Sequence, residues 1–443
     1  MQTYTFPNGF QIVYQKPKHE LPITSVQIFC KVGSAWETDK VRGISHFIEH
    51  MCFKGTRNIV QSRDIFIEYD KIGADFNAYT TKEFTCYTFK CEDQFTENCT
   101  HILTDMLSHS TFQKKELLKE QKVVIEENVK DEDDSENILS EKMDAILYQG
   151  SSFAKTVDTL AYHPNSTFLK RDVLLEWFSY FYQPQNMILS VVTHLPFSQI
   201  KKILQKQDIT KVSKTKSVSQ LPSTALPSPI YALTPKCETE YVLVKKTGVT
   251  ATTISVGFRT CPRSSPDRYV LRVLEQIFNG LSGKLFTALR VKKGLTYHSE
   301  VDVEYFKHAG SFLINTDTDT SKTKQVIKVI IQLLSDVLKH GVNDSELNIA
   351  KGNIRGNYLL GMEDNDNMAD YNGQKIMFAE ENSAKNITLY EDVFKTYIEP
   401  VTRTQIHDIA KKYFKPENMV VGVLGETIPS KTQMESICSK LFM

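Results

Sequence analysis

The stretch FYQPQNMILSVVT, residues 181–193, returns 232 residues later as YFKPENMVVGVLG, residues 413–425. Each copy passes from an aromatic helix end through Pro and Asn-Met into a run of β-branched and apolar residues. Fainter echoes lie upstream at an offset of 226: HFIEHMCF (46–53) against RVLEQIFN (272–279), and FTCYTFKC (84–91) against GSFLINTD (310–317). A repeat of this period constrains the fold strongly, because each copy must build the same supersecondary units. The chain of 443 residues is also too long for one ordinary core. The expectation is an N-terminal lobe over 1–206, a linker over 207–236 and a related C-terminal lobe over 237–443. The linker, QDITKVSKTKSVSQLPSTALPSPIYALTP and its flanks, is rich in Ser, Thr, Lys and Pro and has no sustained apolar period.

Within the first lobe FQIVYQ, TSVQIFCKV and EFTCYTFKC alternate as strands. RGISHFIEHMCFKG reads as a short helix stopped by Gly55, and SRDIFIEYDKIG, QFTENCTHILTDMLSHS and KKELLKEQKVVIEENVKDED as further helices. Non-contiguous strands with helices grouped between them predict an α+β fold: two related lobes, each an antiparallel-rich sheet packed with helices, joined as a clamshell. The eight cysteines are scattered with no Cys-x-x-Cys pair, which predicts buried thiols instead of a disulfide framework or a cysteine metal site.

One short helix carries the chemistry. In SHFIEH (45–50), His46 and His50 are four apart and share a helical face, so both can reach one ion. Glu49 projects near that face without having to ligate. The competing reading is a helix that happens to carry two histidines beside a surface glutamate. A third ligand has to come from elsewhere, and the acidic helix after Lys114 offers two candidates. Glu126 has Lys122 and Lys130 four residues to either side, the pattern of a solvated ion-pair position. Glu127 shares its face with Val123 and Val124, and with Glu120 one heptad back, where a carboxylate needs a partner. Glu127 is the choice; Glu120 would orient a histidine or the helix, or would be an exposed helix glutamate.

His-x-x-Glu-His resembles the signature of the inverted zincins, and VGSAWETDKVRGISHFIEHMCFKGT (32–56) is similar to the pitrilysin and mitochondrial processing peptidase family, in particular its subunits of this size. In that family the third zinc ligand is a glutamate with 76 residues between it and the second histidine, and that count falls on Glu127. GADFNAYTTKEFTCY (73–87) resembles the family's edge strand, in which Asn77 and Ala78 would align a peptide as an added strand. GLSGKLFTALRVKKGLTY (280–297) resembles the segment whose arginine and tyrosine, here Arg290 and Tyr297, bind substrate backbone or oxyanion; alone, the two would read as a structural ion pair and a core aromatic. In the second lobe Arg272 and Gln276 replace His46 and His50 while Glu275 survives, so that lobe would serve as substrate wall and lid.

The resemblance implies a zinc metalloendopeptidase with one Zn2+ per chain, working on extended or presequence-like peptides, with Glu49 as general base. The alternatives are the catalytic subunit of a heterodimeric processing peptidase, or a scaffold subunit with vestigial activity; chains of this size in the family pair as a homodimer or with a related subunit. The acidic run KDEDDSE (130–136) would favour basic peptides or would be a solvated helix end. Lys+Arg and Asp+Glu both total 53, so no net field favours nucleic acid. No apolar stretch is long enough to span a membrane. The opening MQTYTFPNGFQIVYQ goes straight into turn and strand chemistry, and the expected compartment is the cytoplasm.

Overall fold

The computed structural model describes residues 1–157, 170–211, 229–379 and 390–443, without the side chains of 131, 132, 390 and 391. Most of the expected linker, 212–228, therefore lies outside the described residues. Two compact units emerge, and each draws on three stretches of chain. The first holds Met1–Val129, Thr156–Pro229 and Leu359–Ile387; the second holds Lys130–Lys155, Ile230–Tyr358 and Thr388–Met443.

The first unit contains a six-stranded sheet built from β1 (Gln2–Thr5), β2 (Gln11–Gln15), β3 (Ile23–Cys30), β4 (Asp75–Thr80), β5 (Thr85–Glu92) and β6 (Met187–Val192). Its order is β1-β2-β6-β3-β5-β4, so β4 closes one edge with a single partner. The second unit contains β7 (Glu240–Lys245), β8 (Thr252–Thr260), β9 (Thr296–Tyr305), β10 (Gly310–Thr318) and β11 (Met419–Gly425) in the order β7-β11-β8-β10-β9. The two sheets share one plan. In each, a strand pairs parallel with the repeat strand (β2 with β6, β7 with β11), and the remaining central pairings are antiparallel. The two α+β lobes expected from the repeat are present, with the repeat strands as β6 and β11.

Every residue of β6 and β11 is buried, and so are seven of the eight in β3. Strands buried on both faces need cover on both. One face of the first sheet meets the main core, where Val26, Ile28, Tyr87, Leu189 and Val191 pack with helix residues such as Leu103, Met106 and Trp177. The opposite face, carrying Val13, Phe29, Cys86, Ile188 and Val192, is covered by the helix Asn365–Met377 through Met368, Ala369 and Met377. That helix approaches so closely because residue 373 is glycine: a Cβ there would lie 2.0 Å from a ring carbon of Phe29. In the second unit the helix Ser135–Leu147 packs on β8 and β11. The two covering helices are 13 residues each and start 230 residues apart, between the repeat's offsets of 226 and 232. Each unit thus takes its covering helix from the other half of the sequence.

The cysteines are all free thiols and seven are buried. Cys237 corrects the expectation of burial throughout. It lies outside regular secondary structure, three residues before β7, and is exposed.

Candidate active site

The helix Ile44–Cys52 buries Ile44, Phe47, Ile48, Met51 and Cys52 completely, an i, i+3, i+4, i+7 apolar stripe that presses it onto the first sheet. His46, Glu49 and His50 occupy the remaining surface. A buried carboxylate fixes where the helix begins. Glu37, 3% exposed, accepts the backbone N–H of Gly43 at 2.6 Å and of Ser45 at 2.9 Å, satisfying donors that the first turn leaves open.

The helix Lys114–Asp133 spans the whole stretch expected for it and supplies the acidic partners. Glu120 Oε1 accepts the Nδ1–H of His50 at 2.8 Å, and Glu120 Oε2 meets Lys54 Nζ at 2.6 Å. Burial pushes the Glu120 carboxyl up, but His50 and Lys54 outweigh it, and its pKa is net lowered. An ionised carboxylate can only accept, so the imidazole proton sits on Nδ1 and the Nε2 lone pair of His50 is left free to ligate.

That lone pair points into a convergence of donors. His50 Nε2 lies 3.1 Å from His46 Nε2 and 3.5 Å from Glu127 Oε2. One atom from each of His46, His50 and Glu127 falls within 4.8 Å of the other two, and this is the one such three-residue group among the described residues. Ligands at zinc's usual distances on a tetrahedron stand about 3.3 Å apart. Two imidazoles and a carboxylate at these separations fit zinc in type and spacing. Glu126 is exposed, as expected of a solvated position, whereas Glu127 is half-buried; Val124 on its face is buried but Val123 is 41% exposed. Glu49 is 7% exposed, and its Oε2 accepts the hydroxyl of Thr80 at 2.6 Å.

Asn77 and Ala78 lie in β4, whose outer edge has no strand partner among the described residues, and Asn77 Oδ1 accepts the Ala78 N–H at 2.8 Å. Arg290 and Tyr297 belong to the second unit. They pair with each other: the guanidinium lies 4.5 Å from the Tyr297 ring centroid, and Nη1 donates to the Tyr297 carbonyl at 3.2 Å. Tyr297 is 82% exposed, so it is no core aromatic. Arg290 sits on a π-helical turn, Phe286–Val291, a local form that recurs at functional sites. Asp134 accepts backbone N–H groups of Glu136 and Asn137 as a helix N-cap, while the side chain of Asp131 lies outside the described residues.

In the second unit the helix Asp267–Phe278 carries Arg272 and Glu275, whose Nη1 and Oε1 meet at 2.5 Å. Burial, offset in part by Arg272 and reinforced by Asp302, raises the Glu275 pKa from 4.5 to about 7. A carboxyl whose pKa rises on folding favours the fold below its unfolded pKa; that contribution fades as pH climbs through the folded value. Glu275→Gln mimics the protonated form. It is therefore expected to leave stability unchanged near pH 4 and to raise it at pH 8, by about 3 kcal/mol at most. Thermal melts across that range check it; an equal shift at both ends would contradict it.

Sequence reasoning missed Glu37, Lys54 and Thr80. Glu37 had a faint local signal, a carboxylate six residues before a helix start. Lys54 and Thr80 act on partners 66 and 31 residues distant in sequence, for which no spacing rule exists.

Comparison with known proteins gives a consistent picture. The family profile described as Insulinase (Peptidase family M16) matches residues 12–159, and that described as Peptidase M16 inactive domain matches residues 169–354. A Bacillus subtilis protein named uncharacterized zinc protease YmxG is 28% identical over 418 residues, covering 94% of this chain and 96% of that protein. An uncharacterized zinc protease of Rickettsia felis is 26% identical over 380 residues, covering 85% of this chain and 84% of its own. Among solved structures, a protease from Helicobacter pylori superposes with a TM-score of 0.84 at 20% identity, over 96% of this chain and 98% of that one. A peptidase M16 inactive domain from Pseudomonas fluorescens does so at 0.81 and 18%, over 97% and 99%. These two likenesses establish the shared fold.

Proposed function

Because this chain belongs to peptidase family M16, the insulinase-type zinc metallopeptidases, we propose that it is an active endopeptidase for extended peptides, with one zinc ion on His46, His50 and Glu127 and Glu49 as proton acceptor. The observation that carries this reading is the convergence of three ligand atoms within 4.8 Å, two of them from the helix that also bears the buried carboxylate Glu49. Bound there, zinc supplies Lewis acidity, making water a better acid near neutral pH and polarising the scissile carbonyl.

The chain's own residues do the rest. Glu49 takes the proton of the attacking water and returns it to the leaving amine. Glu120, neutralised by Lys54, holds His50 in the ligating tautomer. The open edge of β4 offers backbone N–H and C=O groups to an extended peptide, with Asn77 and Ala78 at its centre. Arg290, stacked on the exposed ring of Tyr297, supplies a cation suited to a substrate carbonyl or the developing oxyanion.

Metal analysis tests the assignment. Wild-type protein is expected to carry about one zinc per chain and to cleave an internally quenched extended peptide. Chelation is expected to stop cleavage and added zinc to restore it. Glu127→Gln should lose the metal, and Glu120→Gln should weaken zinc binding by about 10- to 100-fold. A folded wild-type protein that takes up no zinc overturns the reading. Full zinc with no cleavage by the lone chain would instead favour a catalytic subunit that needs a related partner. No helix among the described residues is long and apolar enough to cross a membrane.

A further inference from the structure

We propose that Thr80 is a positioning residue for the catalytic base: its hydroxyl holds Glu49 Oε2 and so sets the orientation of the carboxylate. The inference rests on the assignment of Glu49 as base.

Thr80 is the last residue of β4. Side chains alternate along a strand, and the burial of β4 alternates with them: Asp75, Asn77 and Tyr79 are exposed, while Phe76, Ala78 and Thr80 are half-buried. Tyr79 ties the outward face down through its hydroxyl, which donates to Asp370 at 2.9 Å. Thr80 faces the helix Ile44–Cys52, and its Oγ1 lies 2.6 Å from Glu49 Oε2.

A threonine hydroxyl has one proton, and two acceptors stand near it. Thr85 Oγ1 is 3.4 Å away and itself donates to the Val32 carbonyl at 2.9 Å. The carboxylate is nearer and charged, so it takes the proton. Glu49 Oε2 is thereby committed to Thr80. A glutamate has three side-chain torsions, and a carboxylate free to turn would present either oxygen at a range of angles. The hydrogen bond selects one orientation, and proton transfer depends on such alignment. It also joins the open edge proposed to receive the peptide to the group that activates the water, since Ala78 and Thr80 stand on one face of a single strand.

Thr80→Val preserves shape and β-propensity and removes the donor; Thr80→Ser restores it; Thr80→Ala serves where the valine methyl crowds Glu49. The expected result for Thr80→Val is a kcat about 10- to 100-fold below wild type, with KM within about twofold and zinc content and Tm near wild type. Thr80→Ser should return to within about threefold of the wild-type kcat. A merely structural role would move Tm, zinc content and KM together, with no recovery in the serine variant. A Thr80→Val kcat within twofold of wild type overturns the proposal, as does a serine variant impaired as deeply as the valine one. Glu49→Gln is assayed alongside. If it is inactive while Thr80→Val is unimpaired, only the Thr80 inference fails. If Glu49→Gln cleaves at the wild-type rate, the base assignment itself fails and this inference with it.

Discussion

Glu49→Gln is expected to lower peptide cleavage by about a thousandfold while zinc content stays at the wild-type level, because loss of a positioned general base typically costs about 10²- to 10⁴-fold. The two halves of that expectation have separate origins. Cleavage falls because an amide cannot take a proton from water. Zinc is retained because the three proposed ligands are His46, His50 and Glu127, and Glu49 is not among them. The fold should also tolerate the change. Glutamine has the same shape, its amide oxygen can still accept the Thr80 hydroxyl, and a neutral group is cheaper to bury than a carboxylate that is 7% exposed. Cleavage assays and metal analysis on one preparation check both halves. Loss of zinc in the variant would make Glu49 a ligand instead of a base. Undiminished cleavage would remove it from the chemistry. A zinc-loaded wild type with no Glu49-dependent activity would favour an absent partner subunit or the scaffold alternative.

What could be read from residue order alone divides along physical lines. The pairing of His46 with His50, and the apolar stripe beneath them, follow from helical periodicity, which is local. Glu127 was legible in part for the same reason: Val124 and Glu120, three and seven residues back, are buried and mark its face, whereas Val123, four back, is exposed, and a carboxylate on a buried face needs a counter-charge. The likeness of β6 and β11 was legible because a buried strand has little freedom of composition. Lys54, Glu37 and Thr80 escaped because each works through one contact whose partner is chosen by tertiary packing, and a lone threonine or lysine carries no pattern. β1 escaped as well; all four of its residues are exposed, so its sequence lacks the alternation that marks a half-buried strand.

The exchange of covering helices was hidden for a different reason. The helices Ser135–Leu147 and Asn365–Met377 occupy equivalent places in the repeat and cover equivalent sheets. A helix that stays with its own half and one that covers the other need the same apolar face. The repeat predicts that each sheet gets such a helix and is silent on which one. Only the particular fit distinguishes them, as where Gly373 admits Phe29.

That exchange sets the expected behaviour of a divided chain. Residues 1–211 contain every strand of the first sheet, the helix with His46 and His50, and Glu127, yet they are expected not to reach a stable native fold alone. Without the helix Asn365–Met377, the face bearing Val13, Phe29, Ile188 and Val192, all fully buried in the intact chain, meets water. At about 1.5–3 kcal/mol for each such side chain, the loss is about 6–12 kcal/mol. That matches the whole stability of a typical domain, about 5–15 kcal/mol. Specific polar ties go too: Asn365 Nδ2 to the Ile23 carbonyl at 2.7 Å, Lys90 to Asp364 at 2.7 Å, and Tyr79 to Asp370. Fragment 1–211 should therefore aggregate or melt without cooperativity, and co-expression with residues 212–443 should restore solubility and zinc uptake. In the intact chain, Gly373→Ala should destabilise by about 1–3 kcal/mol, since the added methyl overlaps the Phe29 ring and the helix must shift. A soluble 1–211 fragment that melts cooperatively within a few degrees of the whole chain would mean that the covering helix is dispensable. A Gly373→Ala protein with an unchanged Tm would mean that the close approach to Phe29 carries none of the packing energy.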